Sequence, residues 1–159
     1  MYFDILKTVN GNYVFFSDGK SIKKIEYIDH EDYNPCENSI NEERPEIVEA
    51  KRQFTEYFKG ERKEFTFDIS PEGTEFQKEV WRELLKIPYG QTTSYGEIAR
   101  NIGNEKASRA VGMAVGKNPI IIAIPCHRVI GKNGKLTGFS AGIDLKKELL
   151  RIESPLFVK

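Results

Sequence analysis

The sequence predicts an α+β protein in which a small antiparallel sheet with one helix precedes a mainly helical domain. Strand-like runs separated by turn signals fill the first half, whereas apolar residues of the second half recur at helical spacing. This pattern breaks at Ser70-Pro71-Glu72-Gly73, where the charge balance also changes sign. The 159 residues are enough for two small cores. We therefore predict one domain at residues 1–70 and a second at residues 71–159.

Charge is distributed unequally between these two predicted domains. The formal net charge is zero, but residues 1–72 hold 10 basic and 16 acidic side chains, and residues 73–159 hold 14 and 8. The positive surplus suggests a polyanionic partner for the second half, although chance surface composition explains it equally well. No apolar run approaches the roughly 20 residues of a membrane helix. No secretory signal is visible, and the two cysteines, Cys36 and Cys126, fit a reducing cytosol, so we expect a cytoplasmic protein.

Strand-like runs open the first domain, at residues 3–9, 13–16 and 21–28. Asn10-Gly11 lies between the first two runs and is a strong signal for a tight hairpin turn. Residues 30–44 are polar and predict a loop, and Pro45 then begins a helix that extends to residue 59. Residues 64–69 alternate in polarity and predict a further strand.

Helices are predicted for the first part of the second domain: one from a Thr74 cap to a point before Pro88, one over residues 94–102 and one over residues 106–116. The spacing of the first helix makes Trp81 a core anchor rather than a base-stacking residue. Gly103-Asn104 supplies a short break between the other two, which is typical of a helix-turn-helix but weak evidence by itself. The apolar run at residues 120–124 predicts a buried strand.

The predicted helix at residues 106–116 has an unusually bare surface. Small residues occupy much of it: Ala107, Ala110, Gly112, Ala114 and Gly116. Each glycine costs about 1 kcal/mol of helix stability relative to alanine, so its presence needs a reason. Close packing against a neighbouring helix is one explanation. Close approach to a DNA backbone or groove is the other, with Arg109 as the one long side chain available, and both explanations stay open.

A cysteine and one of the two histidines are adjacent in Pro125-Cys126-His127-Arg128-Val129. The thiolate is the reactive form of cysteine, and the basic neighbours His127 and Arg128 are expected to lower the pKa of the Cys126 thiol. Full ionisation of a thiol of ordinary pKa gains at most about 30-fold in nucleophile at pH 7. Activation alone is therefore insufficient, and a lone Cys-His pair is more often structural than catalytic.

The residues around this pair resemble the O6-alkylguanine-DNA alkyltransferases over residues 73–153. The matching stretches are Gly73-Thr74-Glu75-Phe76-Gln77, Val80-Trp81, Ile87-Pro88-Tyr89-Gly90, Thr92-Thr93-Ser94-Tyr95, Ser108-Arg109-Ala110-Val111-Gly112, Asn118-Pro119 and Ile124-Pro125-Cys126-His127-Arg128-Val129. The Pro-Cys-His-Arg-Val run is highly specific, while the first half matches only in its general layout. The resemblance implies a ribonuclease H-like first domain and a winged helix-turn-helix-like second domain.

The resemblance also implies the parts of a reaction site. Cys126 matches the nucleophile that takes an alkyl group from guanine O6, and His127 matches the base that acts on it through a water. Glu153 would orient this histidine, and Tyr95 would donate to guanine N3 so that the purine leaves more easily. The implied substrate-binding residues are Val129, Ser140, Asn118 and Arg128. The implied DNA-binding residues are Arg109, Thr93, Ser94 and Ala110, with Arg109 filling the stack left by a flipped nucleotide.

From these matches we expect direct repair of double-stranded DNA that contains O6-alkylguanine, with O4-alkylthymine left open as a second lesion. The product is a thioether on Cys126, which water does not readily reverse, so each molecule is expected to act once. We also expect a monomer that needs no cofactor. A zinc site is not expected, because His30 and Cys36 alone cannot complete a four-ligand site. Two residues depart from the family pattern: Phe139 stands where tyrosine is common, and Gly116 replaces a basic residue of some members.

Two alternative functions fit the sequence less well. A lesion-binding module that flips the base without any transfer would lack the cysteine, whereas Cys126 is present. A Cys-His hydrolase or acyltransferase would need an oxyanion-stabilising motif, and none is apparent beside His127.

Overall fold

The computed structural model describes residues 1–28, 38–136, 138–139 and 141–155. The chain divides into two compact units, Met1–Glu72 with Pro119–Ile121, and Gly73–Asn118 with Ile122–Lys159. This division falls two residues after the predicted boundary, and the sequence does not predict the return of Pro119–Ile121 to the first unit. The mixed α+β class is confirmed, with a small sheet in the first unit and helices in the second. Among the described residues, no helix is long and apolar enough to cross a membrane.

The sheet of the first unit consists of β1 (Tyr2–Thr8), β2 (Gly11–Ser17), β3 (Ile22–Ile28) and β4 (Ile40–Asn41). The strands are arranged in the order β3-β2-β1-β4, and β1, β2 and β3 are antiparallel neighbours as predicted. The two-residue β4 pairs parallel with β1, inside the segment that the sequence predicts as a loop. Its brevity explains the difference, since two extended residues leave no periodic signal.

The hairpin between β1 and β2 turns one residue earlier than predicted. Thr8 pairs with Gly11, so Val9 and Asn10 form the two-residue loop. Gly11 has a φ of 102°, and a Cβ at this position would lie 2.1 Å from the ring of Tyr27. Because both conditions exclude a side chain, the glycine is required at the start of β2 rather than within the loop.

The helix of the first unit, α1 (Pro45–Phe58), packs on this sheet and confirms the prediction. Its proline lies in the first turn, where a missing N–H costs nothing. Ile47, Ala50 and Phe54 are completely buried along one face. The ring of Phe54 lies 4.8 Å from that of Phe15 in β2, measured between centroids, so this apolar stripe belongs to the core.

The predicted strand at residues 64–69 is wrong. Of these residues only Ile69 forms a bridge, parallel to Ile22 in β3. The rings of Phe65 and Phe67 instead pack on Phe54, with centroids 5.2 and 6.3 Å away. The alternation of this segment therefore reflects the packing of two partly buried aromatic rings against α1, which an extended segment achieves without pairing in a sheet.

The helices of the second unit are α2 (Glu75–Leu85), α3 (Tyr95–Asn101), α4 (Ser108–Gly116) and α5 (Ile143–Glu153). Thr74 and Gln77 form a capping box at the start of α2. Trp81 donates from Nε1 to the carbonyl of Ala114 in α4 at 2.9 Å, which confirms it as a core anchor. A turn at Gly103 (φ 80°) and one 3₁₀ turn connect α3 to α4, as the helix-turn-helix prediction requires. Two short strands, β5 (Thr93–Ser94) and β6 (Val129–Ile130), pair in parallel.

The predicted strand at residues 120–124 is also wrong. All five residues are buried, but the chain turns at Ile122, which has a φ of 71°. Ile120 bridges to Ile25 within the first unit, whereas Ile122 already belongs to the second. A β-branched residue at positive φ costs on the order of 1–3 kcal/mol. The prediction that this run is buried is thus correct. The backbone is not a continuous strand, because it turns where the chain passes from the first unit to the second.

Candidate active site

Cys126 opens a single 3₁₀ turn, Cys126–Arg128, that leads into β6. The Cys126 N–H donates to the carbonyl of Ile124 at 2.7 Å, and Nδ2 of Asn118 donates to the same carbonyl at 2.8 Å. Cys126 is 4% exposed, so its thiol is almost completely removed from water. Asn118, two residues beyond α4, therefore fixes the segment from which the cysteine projects.

The Cys126 thiol is in an environment opposite to the one that the sequence predicts. Burial raises the pKa of Cys126 to about 11, and hydrogen bonding by Asn118 and the charge of Lys146 offset this only in part. The expectation that the basic side chains of His127 and Arg128 lower this pKa below its usual value is wrong, because burial outweighs every opposing contribution, and Nε2 of His127 and Nε and Nη2 of Arg128 are engaged with Glu153. In the resting site the thiol is protonated and needs a base before it can act as a nucleophile.

His127 is fully buried and is a base with an available lone pair. Its Nε2 lies 2.5 Å from Oε2 of Glu153. Burial lowers the pKa of His127 despite the opposing effect of Glu153, so the ring is neutral at pH 7. A neutral ring that donates from Nε2 carries its lone pair on Nδ1. Within the described part of the chain, Nδ1 has no hydrogen-bond partner.

Glu153, the last residue of α5, contacts both basic side chains of the site, His127 and Arg128. Arg128 donates from Nε to Oε1 at 2.7 Å and from Nη2 to Oε2 at 3.1 Å, a bidentate pair. Burial alone would raise the pKa of Glu153, but its hydrogen bond with His127 and the hydrogen bonds and charge of Arg128 lower it to about 2. Arg128 also donates from Nη1 to the carbonyl of Ile87 at 2.7 Å. With its guanidinium engaged in this way, Arg128 fits a positioning role better than the predicted contact with substrate.

Lys146 lies in the same neighbourhood and is not predicted by the sequence. It is completely buried, and its Nζ donates to the carbonyl of Val129 at 2.6 Å. Burial lowers the pKa of Lys146 to about 8, while the nearby Cys126 opposes that change. The helical spacing of the sequence could have indicated its burial, because Lys146 shares the buried face of α5 with Leu149 and Glu153.

The predicted residues Tyr95, Thr93 and Ser94 lie together where β5 meets α3. Ser94 caps α3 by accepting the N–H of Glu97 at 3.2 Å. Thr93 pairs with Val129 in the β5–β6 ladder. This pairing brings the start of α3, where Tyr95 stands, beside the strand that follows the Cys126 turn.

The exposed face of α4 carries Arg109, Ala110, Met113 and Gly116. The prediction that Arg109 is the one long side chain available on this helix is wrong, because Met113, one turn later, is 68% exposed. A Cβ on Gly112 would lie 3.7 Å from the Tyr95 ring, an ordinary contact, and a Cβ on Gly116 would meet nothing within 4 Å. Packing requires neither glycine, which favours close approach of another molecule as the reason for the bare surface.

Three of the positions named from the sequence, Ser140, His30 and Cys36, lie outside the described residues. Phe139 is half-buried, and its carbonyl accepts the N–H of Gly142 at 2.9 Å. Within the described ranges, no group of three or more His, Cys, Asp and Glu side chains is arranged to hold a metal ion.

Comparison with known proteins gives matches to both halves of the chain. The family profile described as "6-O-methylguanine DNA methyltransferase, DNA binding domain" matches residues 75–155. The profile described as "6-O-methylguanine DNA methyltransferase, ribonuclease-like domain" matches residues 1–71. The first half therefore matches in sequence, and not only in layout as expected.

Similar proteins extend over nearly the whole chain. The methylated-DNA–protein-cysteine methyltransferase of Methanosarcina acetivorans is 48% identical, and the match covers 96% of this chain and 98% of the relative. The constitutive methylated-DNA–protein-cysteine methyltransferase of Bacillus subtilis is 41% identical, with coverage of 96% and 94%. The crystal structure of Mycobacterium tuberculosis OGT in complex with DNA superposes with a TM-score of 0.89 at 39% identity, covering 98% of this chain and 94% of that one.

Proposed function

The chain belongs to the 6-O-methylguanine DNA methyltransferase family, and from this premise we propose that it repairs alkylated DNA by accepting the alkyl group on its own Cys126. The observation that carries the proposal is the buried arrangement of Cys126, His127 and Glu153 at one turn and one helix end. Such a set supplies a nucleophile, a base and a residue that orients the base. The substrate is double-stranded DNA with an alkyl group on O6 of guanine.

The first step is removal of the proton from Cys126. With a pKa of about 11, only about 1 thiol in 10⁴ is ionised at pH 7, so ionisation in the resting state is insufficient. The neutral ring of His127 takes this proton at Nδ1 through a bridging water, since adjacent side chains rarely touch directly. The imidazolium that forms is stabilised at Nε2 by Glu153, which stays anionic because of its low pKa.

The second step is displacement of guanine from the alkyl carbon. The sulfur–carbon bond forms as the carbon–O6 bond breaks, and the electron pair of the broken bond goes to the purine. Tyr95 donates its hydroxyl proton to guanine N3. The proton that His127 took from Cys126 then returns to the Tyr95 oxygen. The protein retains a thioether, which water does not readily cleave, so each molecule acts once.

Backbone groups of the second unit bind the guanine in this proposal. Asn118 holds the Cys126 segment through the Ile124 carbonyl, at 2.8 Å. The Val129 carbonyl accepts a hydrogen bond from the base, and Lys146 orients this carbonyl from a distance of 2.6 Å. The ammonium of Lys146 also places a positive charge near the thiolate as it forms.

The exposed face of α4 contacts the duplex. A fixed thiol cannot reach O6 inside a base stack, so the damaged nucleotide must be extruded. Arg109 fills the gap that it leaves, and Thr93, Ser94 and Ala110 contact the DNA around it. The 39% identity to the Mycobacterium tuberculosis protein, which was crystallised in complex with DNA, supports this assignment.

The reaction needs no organic cofactor, because the substrate itself carries the transferred group. The nucleophile must stay reduced, which is consistent with action in the cytoplasm. One chain contains every group that the proposed steps use, so a monomer is sufficient for the reaction.

Intact mass spectrometry after incubation with O6-methylguanine duplex DNA tests the proposed function. We expect a gain of one methyl group per chain, which peptide mapping should place on Cys126 and not on Cys36. Cys126→Ala should still bind the duplex but gain no methyl group, and unmodified duplex should leave the wild type unchanged. Repair of more than one equivalent of DNA per chain, or methylation of another residue, would overturn the proposal.

A further inference from the structure

The turn at Ile87-Pro88-Tyr89-Gly90 has no part in the reaction steps described above. The N–H of Gln91 closes it by donating to the carbonyl of Pro88 at 3.1 Å. We propose that Tyr89 is a positioning residue that, together with Arg128, holds the Glu153 carboxylate against His127. This inference rests on the proposed function, because it concerns the same relay.

Tyr89 first fixes the backbone that carries the carboxylate. Its hydroxyl donates to the carbonyl of Ile152 at 3.1 Å. This carbonyl lies in the last turn of α5, where backbone carbonyls have no N–H donor within the helix. Because Ile152 directly precedes Glu153, the hydrogen bond determines where the carboxylate side chain leaves the helix.

The same turn also holds the guanidinium that binds the carboxylate. Ile87 accepts from Nη1 of Arg128 at 2.7 Å, and the guanidinium carbon lies 5.8 Å from the centre of the Tyr89 ring. That distance is within the range of a cation–π interaction. Since Nε and Nη2 of Arg128 bind both oxygens of Glu153, the turn restrains the carboxylate from its far end as well.

Gly90 allows the turn to approach α5 closely. It has a φ of 81°, and a Cβ at this position would lie 3.3 Å from the carbonyl of Glu153. A side chain there would be strained by its backbone conformation and would press on the helix end. The glycine thus keeps Tyr89 within reach of Ile152.

These contacts affect the reaction through the tautomer of His127. The carboxylate of Glu153 accepts the Nε2 proton, and this leaves the lone pair on Nδ1, where the proton of Cys126 must arrive. In metal sites, loss of a partner that orients a histidine typically costs 10–100-fold in affinity or activity, and we take the lower end of that range for this relay. If the carboxylate is free to turn, the ring is no longer confined to the tautomer that can act as the base.

Tyr89→Phe tests the inference because it removes the hydroxyl bond and keeps the ring beside Arg128. We expect alkyl transfer to slow about 10-fold, both from duplex DNA and from free O6-benzylguanine. Tyr13→Phe is a matched control in the first unit, where the hydroxyl donates to the carbonyl of Asn10 at 3.0 Å. This control should transfer at the wild-type rate, and equal slowing of both variants would overturn the inference.

NMR of the imidazole nitrogens in the resting protein supplies a readout that loss of stability does not move. Wild type and Tyr13→Phe should show His127 protonated at Nε2 alone, and Tyr89→Phe should show a mixture of tautomers. A wild-type spectrum for Tyr89→Phe would overturn the inference. Absence of transfer by wild type would instead overturn the proposed function, while the spectra still decide the role of Tyr89.

A double-mutant cycle of Tyr89→Phe with Arg128→Lys tests whether the two residues act on the same carboxylate. Both substitutions act on the Glu153 carboxylate, so their effects on the transfer rate should be clearly less than multiplicative. Strictly multiplicative effects would show that Tyr89 acts independently of Arg128 and would contradict the proposal.

Discussion

The carboxylate of Glu153 links the site to the pH dependence of folding. Its pKa is lowered from 4.5 to about 2 in the folded chain, where it is 6% exposed. Because the folded pKa lies below the unfolded one, the stability that Glu153 contributes is complete above about pH 5 and is lost as the pH falls toward 2. A change of this size corresponds to about 3 kcal/mol of unfolding free energy.

Glu153→Gln should therefore be less stable than wild type at pH 7, by about 3–5 kcal/mol, because it leaves Arg128 buried without its counter-charge. The gap in unfolding free energy should narrow as the pH is lowered, since wild type loses the contribution that the variant never had. Urea unfolding of both proteins across the acid range measures this gap. A gap that stays constant with pH would show that Glu153 does not titrate at a lowered pKa in the folded chain.

Lys146 is the second buried charge, and its removal should affect the nucleophile. Lys146→Met takes away a positive charge near Cys126, so the pKa of the thiol should rise further. We expect the rate of Cys126 alkylation by iodoacetamide at neutral pH to fall about 10-fold, with its pH midpoint displaced upward. Lys147→Met, at the partly exposed neighbouring position, is the control. Identical pH profiles for the two variants would contradict a role for the Lys146 ammonium.

At the scale of elements, local signals predict helices better than strands in this chain. The Thr74 cap and the proline at the start of α1 act within one turn, so the sequence contains all that is needed to place them. The run at residues 120–124 is buried as predicted, and the rings of Phe65 and Phe67 pack on α1, but pairing of either run in a sheet depends on neighbours from distant parts of the chain. Their hydrophobic pattern identifies the side chains that pack and leaves the backbone conformation undetermined.

The candidate site shows the same limit. Cys126 and His127 are adjacent in sequence, so the motif points to them directly, and the resemblance adds Glu153 at the end of α5. The raised pKa of Cys126 and the burial of Lys146 arise from three-dimensional packing around the turn. Basic residues adjacent in the sequence are therefore a poor guide to the pKa of a thiol, since the guanidinium of Arg128 is paired with Glu153.

Substitutions on the exposed face of α4 and at the start of α3 should have different effects on the two substrates. Arg109→Ala removes the group that offsets unstacking, so repair of duplex DNA should slow on the order of 10- to 100-fold, with little change on free O6-benzylguanine. Tyr95→Phe removes a donor to the leaving purine, so both substrates should react more slowly. Single-turnover rates of the two variants on the two substrates measure this. Equal losses for Arg109→Ala would assign this arginine to the pocket or the fold instead.

For the whole molecule, the zero net charge conceals an uneven arrangement of exposed cations. Arg128 and Glu153 neutralise one another in the interior, and Lys146 is buried, so these basic groups are not available to a polyanion. Lys106 and Lys117 are exposed and flank α4 at its two ends. Two of the exposed cations of the second unit, Lys106 and Lys117, are therefore next to the helix that we propose to contact DNA.

The salt dependence of DNA binding should locate this surface. Each phosphate contact releases counterions, so the affinity falls with salt at a slope of about 0.9 per contact on a logarithmic plot. Lys106→Gln combined with Lys117→Gln should weaken duplex binding and reduce that slope by up to about 2. Lys20→Gln combined with Lys59→Gln removes the same charge from exposed positions of the first unit and should leave binding nearly unchanged. Equal weakening by the two pairs would mean that the net charge of the chain, rather than the cations beside α4, governs the encounter with DNA.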